Sequence, residues 1–242
     1  MMISIVIPVF NEEENIQPLI EELVAVAAHT PISEIIYIDD ASTDKTASIL
    51  KEMQKTVPAL RVVRHPIRAG QSAAFMSGVR AAGNSVVVLM DGDRQNDPQD
   101  IIQLYEEYQQ SSKSYPKVMV VGRRHKRQDT MMRKLSSRWA NGIRSWFLKD
   151  HISDTGCSLK LIRREDYLRL PYFNHMHRFL PALLIRDHVH VVEVDVSHRA
   201  RVAGKSKYGF WNRVWVGIVD LIGVKWLLNR GLPKGFTTQE QL

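Results

Sequence analysis

Asp91 and Asp93 flank a single glycine, Gly92, just after a valine-rich apolar run from Ser85 to Met90. Side chains alternate along a strand, so carboxylates at i and i+2 on a strand end can face the same way. Two like charges held that close repel each other and need a cation or a shared proton to coexist. Hard oxygen ligands suit Mg²⁺ or Mn²⁺, and such ions complete their shells with phosphate oxygens. The pair points to a metal-diphosphate site. The competing reading is a solvated turn with Asn96 and Pro98.

Those carboxylates need a scaffold, and the first half of the chain supplies one by alternating two periodicities. Strands are predicted at Ile3 to Val9, Ile35 to Ile38, Leu60 to Val63, Ser85 to Met90 and Val118 to Val121. Helices are predicted at Glu13 to Ala28, from the Ser42-Thr43-Asp44 signal through Met53, at Ser72 to Ala82 and at Pro98 to Gln110. Repeated strand-helix order predicts a mostly parallel sheet with helices on both faces. Ligands of such sheets bind beyond the carboxyl ends of the strands. That rule puts Pro8 to Glu12, Asp39-Asp40 and Asp91 to Gln95 on one rim.

The second half reads differently. Thr130 to Leu148 places Met132, Leu135, Trp139, Ile143 and Trp146 at helical spacing, and Tyr208 to Asn229 does the same with Trp211, Trp215, Ile218, Ile222 and Trp226. An apolar stripe with tryptophan and Arg/Lys flanks fits either core packing or a helix lying in a membrane interface. The tail from Pro233 to Leu242 is polar and expected to be loose.

The chain of 242 residues has room for one large core, and its 44% hydrophobic and 24% charged content is ordinary for a globular protein. Its net charge of +7 is concentrated. Arg123, Arg124, Lys126, Arg127, Arg133, Lys134, Arg138, Arg144 and Lys149 face Asp129 alone between Gly122 and Lys149, and a second group comprises Arg199, Arg201, Lys205 and Lys207. Such surfaces suit phosphates, nucleic acid or an anionic membrane face. No recognisable nucleic-acid motif accompanies them, so a nucleic-acid-binding module is the remote reading and no nucleic-acid partner is expected. The lone Cys157 rules out an internal disulfide and fits a reducing compartment. No signal peptide or uninterrupted membrane span is evident, so the protein is expected on the cytosolic side.

An ordered series of motifs resembles the family 2 glycosyltransferases, and within them the polyprenol-phosphate sugar transferases related to dolichol-phosphate mannose synthase. The motifs are IVIPVFNEEENI (Ile5 to Ile16), IDDASTD (Ile38 to Asp44), AGQSAAFMSGVRAAGN (Ala69 to Asn84), MDGDRQNDP (Met90 to Pro98), VVGRR (Val120 to Arg124), SDTGCSLKLIRRE (Ser153 to Glu165), MHRFLPAL (Met176 to Leu183) and HRARVAGKSKYG (His198 to Gly209). The resemblance implies a GT-A fold in one domain, residues 1–232. A nucleotide-sugar-binding half would span 1–125, an acceptor and membrane-interface half with amphipathic helices 126–232, and a flexible tail 233–242.

It further implies that Pro8, Phe10 and Glu12 line the nucleoside, with Asp39 or Asp40 on the base or ribose and Gly70 and Gln71 close to the nucleotide. Asp91, Gly92, Asp93 and Gln95 match the loop that holds Mg²⁺ or Mn²⁺ and the donor diphosphate. Arg124 falls at the acceptor-phosphate arginine, followed by Arg133 and Ser137. Since the family often has Gly-Ser-Arg where this chain has Gly122-Arg123-Arg124, Arg123 could share or take that role. Arg201, Lys205 and Lys207 match a late basic motif that neutralises the leaving group, and Asp154 is either a base-like acid or an orienter of basic partners.

The implied reaction is inverting transfer of a sugar from a GDP- or UDP-linked donor to undecaprenyl or dolichyl phosphate at the cytosolic membrane face. The rival is a family member acting on a lipid-linked glycan or lipopolysaccharide. The chain departs from many bacterial relatives in lacking membrane-spanning hairpins after the domain, which implies a peripheral protein, with a separate membrane subunit or homo-oligomer as possible partners.

Overall fold

Residues 1–124, 142, 144–200 and 210–230 are described by the structure, a computed structural model. The strands are β1 (Ile3–Val9), β2 (Ile32–Asp39), β3 (Leu60–Arg64), β4 (Val86–Leu89), β5 (Val118–Arg124), β6 (Lys160–Arg163) and β7 (His190–Val196). They form one seven-stranded sheet in the order β3-β2-β1-β4-β6-β5-β7. Only β6 runs antiparallel to its neighbours; the remaining pairings are parallel.

The helices α1 (Glu13–Ala27), α2 (Thr46–Thr56), α3 (Gln71–Ala81), α4 (Asp100–Ser111), α5 (Arg164–Leu168), α6 (Leu180–Arg186) and α7 (Phe210–Leu228) cover both faces. The alternation in β1 shows why its apolar run is continuous. Ile3, Ile5 and Ile7 pack with α1 and α4 residues such as Leu19, Leu23 and Leu104. Val6 points the other way, into a second core with Phe75 and Val79 of α3 and Leu180 of α6. A strand buried on both faces carries no polar alternation.

The predicted elements of the first half all form, with β2 and α2 longer than their apolar runs indicated. The helix expected over Thr130 to Leu148 lies outside the described residues except for helical residues 142 and 144–148, and Trp139 falls in the undescribed part. The second tryptophan helix forms as α7. Its Leu221, Val224 and Leu228 pack against the second core, whereas Ile218, Val219, Ile222 and Trp226 are exposed. No helix among the described residues is long and apolar enough to cross a membrane.

Candidate functional site

Strand β4 ends at Leu89, and the Met90 amide still donates to the Val6 carbonyl at 3.1 Å, so the chain leaves the sheet at Asp91. Gly92 is there for want of room: a Cβ on it would lie 2.4 Å from Val9 Cγ1 and 3.3 Å from the Pro8 carbonyl oxygen. The chain reverses at Arg94, which has φ +61°, and the Arg94 guanidinium is anchored 2.7 Å from Glu22 of α1. Asp93 is buried, and its Oδ1 accepts the Gln95 amide at 3.2 Å. Gln71 Nε2, at the start of α3, donates to Asp91 Oδ1 at 2.6 Å. The Gln95 carbonyl in turn accepts the Arg199 amide at 2.9 Å, and Arg199 Nη2 lies 2.8 Å from Asp97. The backbone leading to the late basic motif is thereby fastened to the carboxylate loop.

Burial, and then the neighbouring charge of Asp93, raise the Asp91 pKa to about 6, against lowering contributions from Ser158, Lys160 and Arg124. A divalent cation would relieve that strain, so the donor set fits one. Among the described residues no three His, Cys, Asp or Glu side chains converge on a metal-sized point. A pair of carboxylates matches the way Mg²⁺-type ions are held by one or two carboxylates plus substrate phosphates.

The sign of a pH effect follows. Because the Asp91 pKa is raised, its proton stabilises the metal-free fold below the unfolded-state value, near 3.8, and this contribution is lost as pH rises through about 6. The ionised form needed by a metal predominates above that point. Thermal unfolding with excess Mn²⁺ and a nucleoside diphosphate is expected to give a stabilisation of about 5–10 °C at pH 7.5 that shrinks toward zero by pH 5. A shift independent of pH across that range would contradict the role of Asp91.

The neighbouring rim is tied together by polar side chains. Asn11, at φ +54°, accepts the Thr43 amide on Oδ1 at 2.8 Å, joining the loops after β1 and β2. Pro8, Phe10 and Glu12 follow one another along this rim, each half-buried, and the Arg68 guanidinium lies over the Phe10 ring at 4.1 Å. Glu12 accepts from Asn15 Nδ2 at 2.7 Å. Asp39 Oδ1 accepts the Ser42 amide at 2.8 Å and its Oδ2 lies 3.2 Å from Arg64 Nε. Asp40 accepts the amides of Ala69 and Gly70, each at 2.8 Å. Neither aspartate caps α2, whose Thr46 amide is taken by Asp44 at 3.0 Å.

Arg123 and Arg124 alternate across β5 and part company. Arg123 is exposed and pairs with Asp195 of β7 at 2.6 Å. Arg124 turns inward and forks onto Asp154, Nε to Oδ2 and Nη2 to Oδ1, both at 2.7 Å. Asp154 also accepts the Arg124 amide at 3.2 Å, so this carboxylate orients the arginine from two sides. Gly156 makes space for the fork, since a Cβ there would sit 2.9 Å from Arg124 Nη2. Arg133, Ser137, Arg201, Lys205 and Lys207 lie outside the described residues.

Asp91 opens onto a cavity of about 700 Å³. Its walls include Gln71, Lys160, His177, Arg178 and, on α7, Ile218 and Asp220. Lys160, His177, Arg178 and Asp220 were not singled out from the sequence. Lys160 is 3% exposed, with its ammonium on the Cys157 carbonyl, and burial lowers its pKa against the pull of Cys157, Asp91 and Asp154. The available signal was slight: Lys160 stands between Leu159 and Leu161, and a charge buried among apolar neighbours needs a reason. His177 pairs through Nδ1 with Ser72 Oγ at 2.7 Å, and burial with nearby Arg178 and Lys160 keeps it well below its ordinary pKa, hence neutral. Close by, His175 Nδ1 lies 3.1 Å from Asp220 Oδ2, which holds α7 against this wall.

A parallel sheet with one inserted antiparallel strand and paired aspartates at the end of β4 defines the GT-A class of nucleotide-sugar-dependent folds. The model for glycosyl transferase family 2 matches residues 4–170, and the chain belongs to that family. The dodecaprenyl-phosphate galacturonate synthase of Rhizobium johnstonii is 35% identical over 231 residues, 93% of this chain and 67% of that protein. The undecaprenyl-phosphate 4-deoxy-4-formamido-L-arabinose transferase of Pectobacterium carotovorum is 34% identical, covering 86% of this chain and 63% of its own length. The chain thus spans about two thirds of the length of these relatives. Among solved structures, glucosyl-3-phosphoglycerate synthase of Mycobacterium tuberculosis with Mn²⁺, UDP and glucosyl-3-phosphoglycerate superposes with a TM-score of 0.68 at 18% identity, over 97% of this chain and 82% of that one. The same enzyme with Mg²⁺ and UDP gives 0.68 as well.

Proposed function

We propose that the protein transfers a sugar from a nucleotide-sugar to the phosphate of a polyprenyl carrier, with inversion, at the cytosolic face of a membrane. The observation that carries this reading is that Asp91, two residues from Asp93, lines a cavity to which α7, a helix with an exposed apolar face, also contributes. The relatives named above for dodecaprenyl and undecaprenyl phosphate support the acceptor, and the Mn²⁺, Mg²⁺ and UDP of the structural neighbours support the donor and the ion.

Residues 1–125 would form the donor half, 126–232 the acceptor half and 233–242 a tail. Pro8, Phe10 and Glu12 take the nucleoside, framed by Asp39, Asp40, Gly70 and Gln71. Asp91 and Asp93, with Gln95 as a third ligand, would hold Mg²⁺ or Mn²⁺, which when bound supplies a Lewis acid for the charge on the departing diphosphate. Arg201, Lys205 and Lys207 add positive charge there. Arg124, held by Asp154, receives the acceptor phosphate together with Arg123, Arg133 and Ser137; a guanidinium fork matches phosphate geometry. The acceptor phosphate is already anionic near neutral pH, so Asp154 serves as an orienter and no strong base is required.

Trp146 is 79% exposed and Trp226 59%, with Lys149, Lys225 and Arg230 nearby in sequence, a combination suited to an interfacial surface on an anionic leaflet. A long isoprenoid stays in the bilayer, so such a surface brings the site to the headgroup. Calorimetry of UDP and GDP with and without Mn²⁺ tests the donor half. Binding that requires one nucleotide and the ion together is expected, whereas ion-independent binding would contradict it.

A further inference from the structure

The loop between β3 and α3 carries two contacts of the donor half, yet almost none of it is buried. Pro66, Ile67, Arg68 and Ala69 are exposed, Ile67 at 73%. With no apolar anchor, this loop depends on polar bonds for its shape. These bonds converge on Asp40. Its Oδ1 takes the Ala69 amide and its Oδ2 the Gly70 amide, and Oδ1 also meets His65 Nδ1 at 2.8 Å. On the far side of the ring, His65 Nε2 lies 2.9 Å from Ser77 Oγ, two turns into α3. A carboxylate only accepts, so Nδ1 carries the proton toward Asp40, while Nε2 meets the Ser77 hydroxyl.

We propose that His65 is a positioning residue: with Asp40 and Ser77 it forms a latch that fixes the 65–70 loop so that Gln71 meets the metal-binding carboxylate Asp91 and Arg68 meets Phe10. The imidazole bridges the end of β2 to the middle of α3, while the carboxylate it steadies grips the two amides just before Gln71. Gly70 completes the arrangement at φ +89° and ψ 163°, a conformation open essentially to glycine alone. Directly after it, Gln71 starts the helix with its amide on Asp91 at 2.6 Å. The ring is linked to Asp91 through this chain of contacts, so His65 acts on the site by position. Asp40, in turn, acts on the nucleotide by shaping the loop.

This inference rests on the proposed donor site, and its test separates the two. In full-length protein, His65→Ala is expected to raise amide exchange across residues 66–71 about tenfold and the half-saturating Mn²⁺ concentration for UDP binding about tenfold. His65→Asn keeps a donor within reach of Asp40 and is expected to restore both to within about threefold of wild type. Unchanged exchange in His65→Ala, or an Asn variant as impaired as the Ala variant, overturns the latch. Should His65→Ala fail to fold, Ser77→Ala loosens only the outer bond. Its expected rise is about twofold to threefold in both quantities, and a flat response overturns the proposal. If the wild type binds no UDP with Mn²⁺, the donor reading falls, and the exchange pattern alone decides the latch.

Discussion

Asp91→Asn is expected to lower transfer by at least about a thousandfold, near 4 kcal/mol of transition-state stabilisation, while leaving the fold as stable as wild type or more so. The two outcomes have one cause. Burial and the charge of Asp93 make the Asp91 carboxylate costly to ionise, so removing that charge relieves the metal-free protein. The same charge is what a divalent ion requires of its ligand. Asparagine retains an oxygen for Gln71 Nε2, so the local packing survives. Parallel measurement of turnover and thermal midpoint checks both halves, and a variant that loses midpoint along with activity would mark Asp91 as structural. Asp93→Asn is expected to lose activity alike, because the ion loses a charged ligand, and to keep its loop, because the oxygen on the Gln95 amide is preserved.

Arg124→Ala is expected to destabilise the protein by about 3–5 kcal/mol, the usual cost of stranding one member of a buried ion pair. That corresponds to a fall of about 6–20 °C in thermal midpoint for a chain of this size. Arg124 and Asp154 form a two-point fork, and their side chains are only 12% and 9% exposed, so little water can replace the lost partner. Arg124→Lys leaves one point charge where a fork stood, and only partial recovery is expected. Asp154→Asn discriminates between roles. If Asp154 orients Arg124, turnover falls with the pH-rate profile unmoved, whereas a general base would remove an acidic limb from the profile. A double Arg124→Ala, Asp154→Ala variant should cost less than the sum of the single changes, because both halves of one pair are then gone.

The two-face cores explain how much of this was legible in the sequence. Strands such as Ile3 to Val9 are buried on both sides and read as apolar runs, and the helices between them carry their own period. That fixed the sheet and placed Asp91 and Asp93 on its rim. The strand β6 escaped notice because Leu161 and Ile162 are its only apolar residues, flanked by Lys160 and Arg163. Yet β6 is the antiparallel insertion that carries Lys160 to the cavity. Strand β7 is half-exposed along most of its length, and its mixed sequence gave no strong period.

Partnerships were harder to read than positions. Arg124 was the first candidate for the acceptor phosphate with Arg123 as its alternative, and β5 turns Arg123 to Asp195 and Arg124 to Asp154. Asp40 was expected on the base or ribose, and its partners in the fold, His65, Ala69 and Gly70, sit 25 to 30 residues onward. Spacing along one strand reports a shared face, but contacts made across loops leave no periodic trace.

The central claim is transfer to a lipid phosphate, and one measurement addresses it most directly. Purified protein, detergent-dispersed undecaprenyl phosphate and a panel of radiolabelled UDP- and GDP-sugars are incubated with Mn²⁺ or Mg²⁺, and organic-extractable label is counted. The account predicts label in the lipid phase with one donor, dependent on both the ion and the acceptor phosphate, and absent in Asp91→Asn. Label transferred instead to a lipid-linked glycan, with none on undecaprenyl phosphate under any donor, would contradict it.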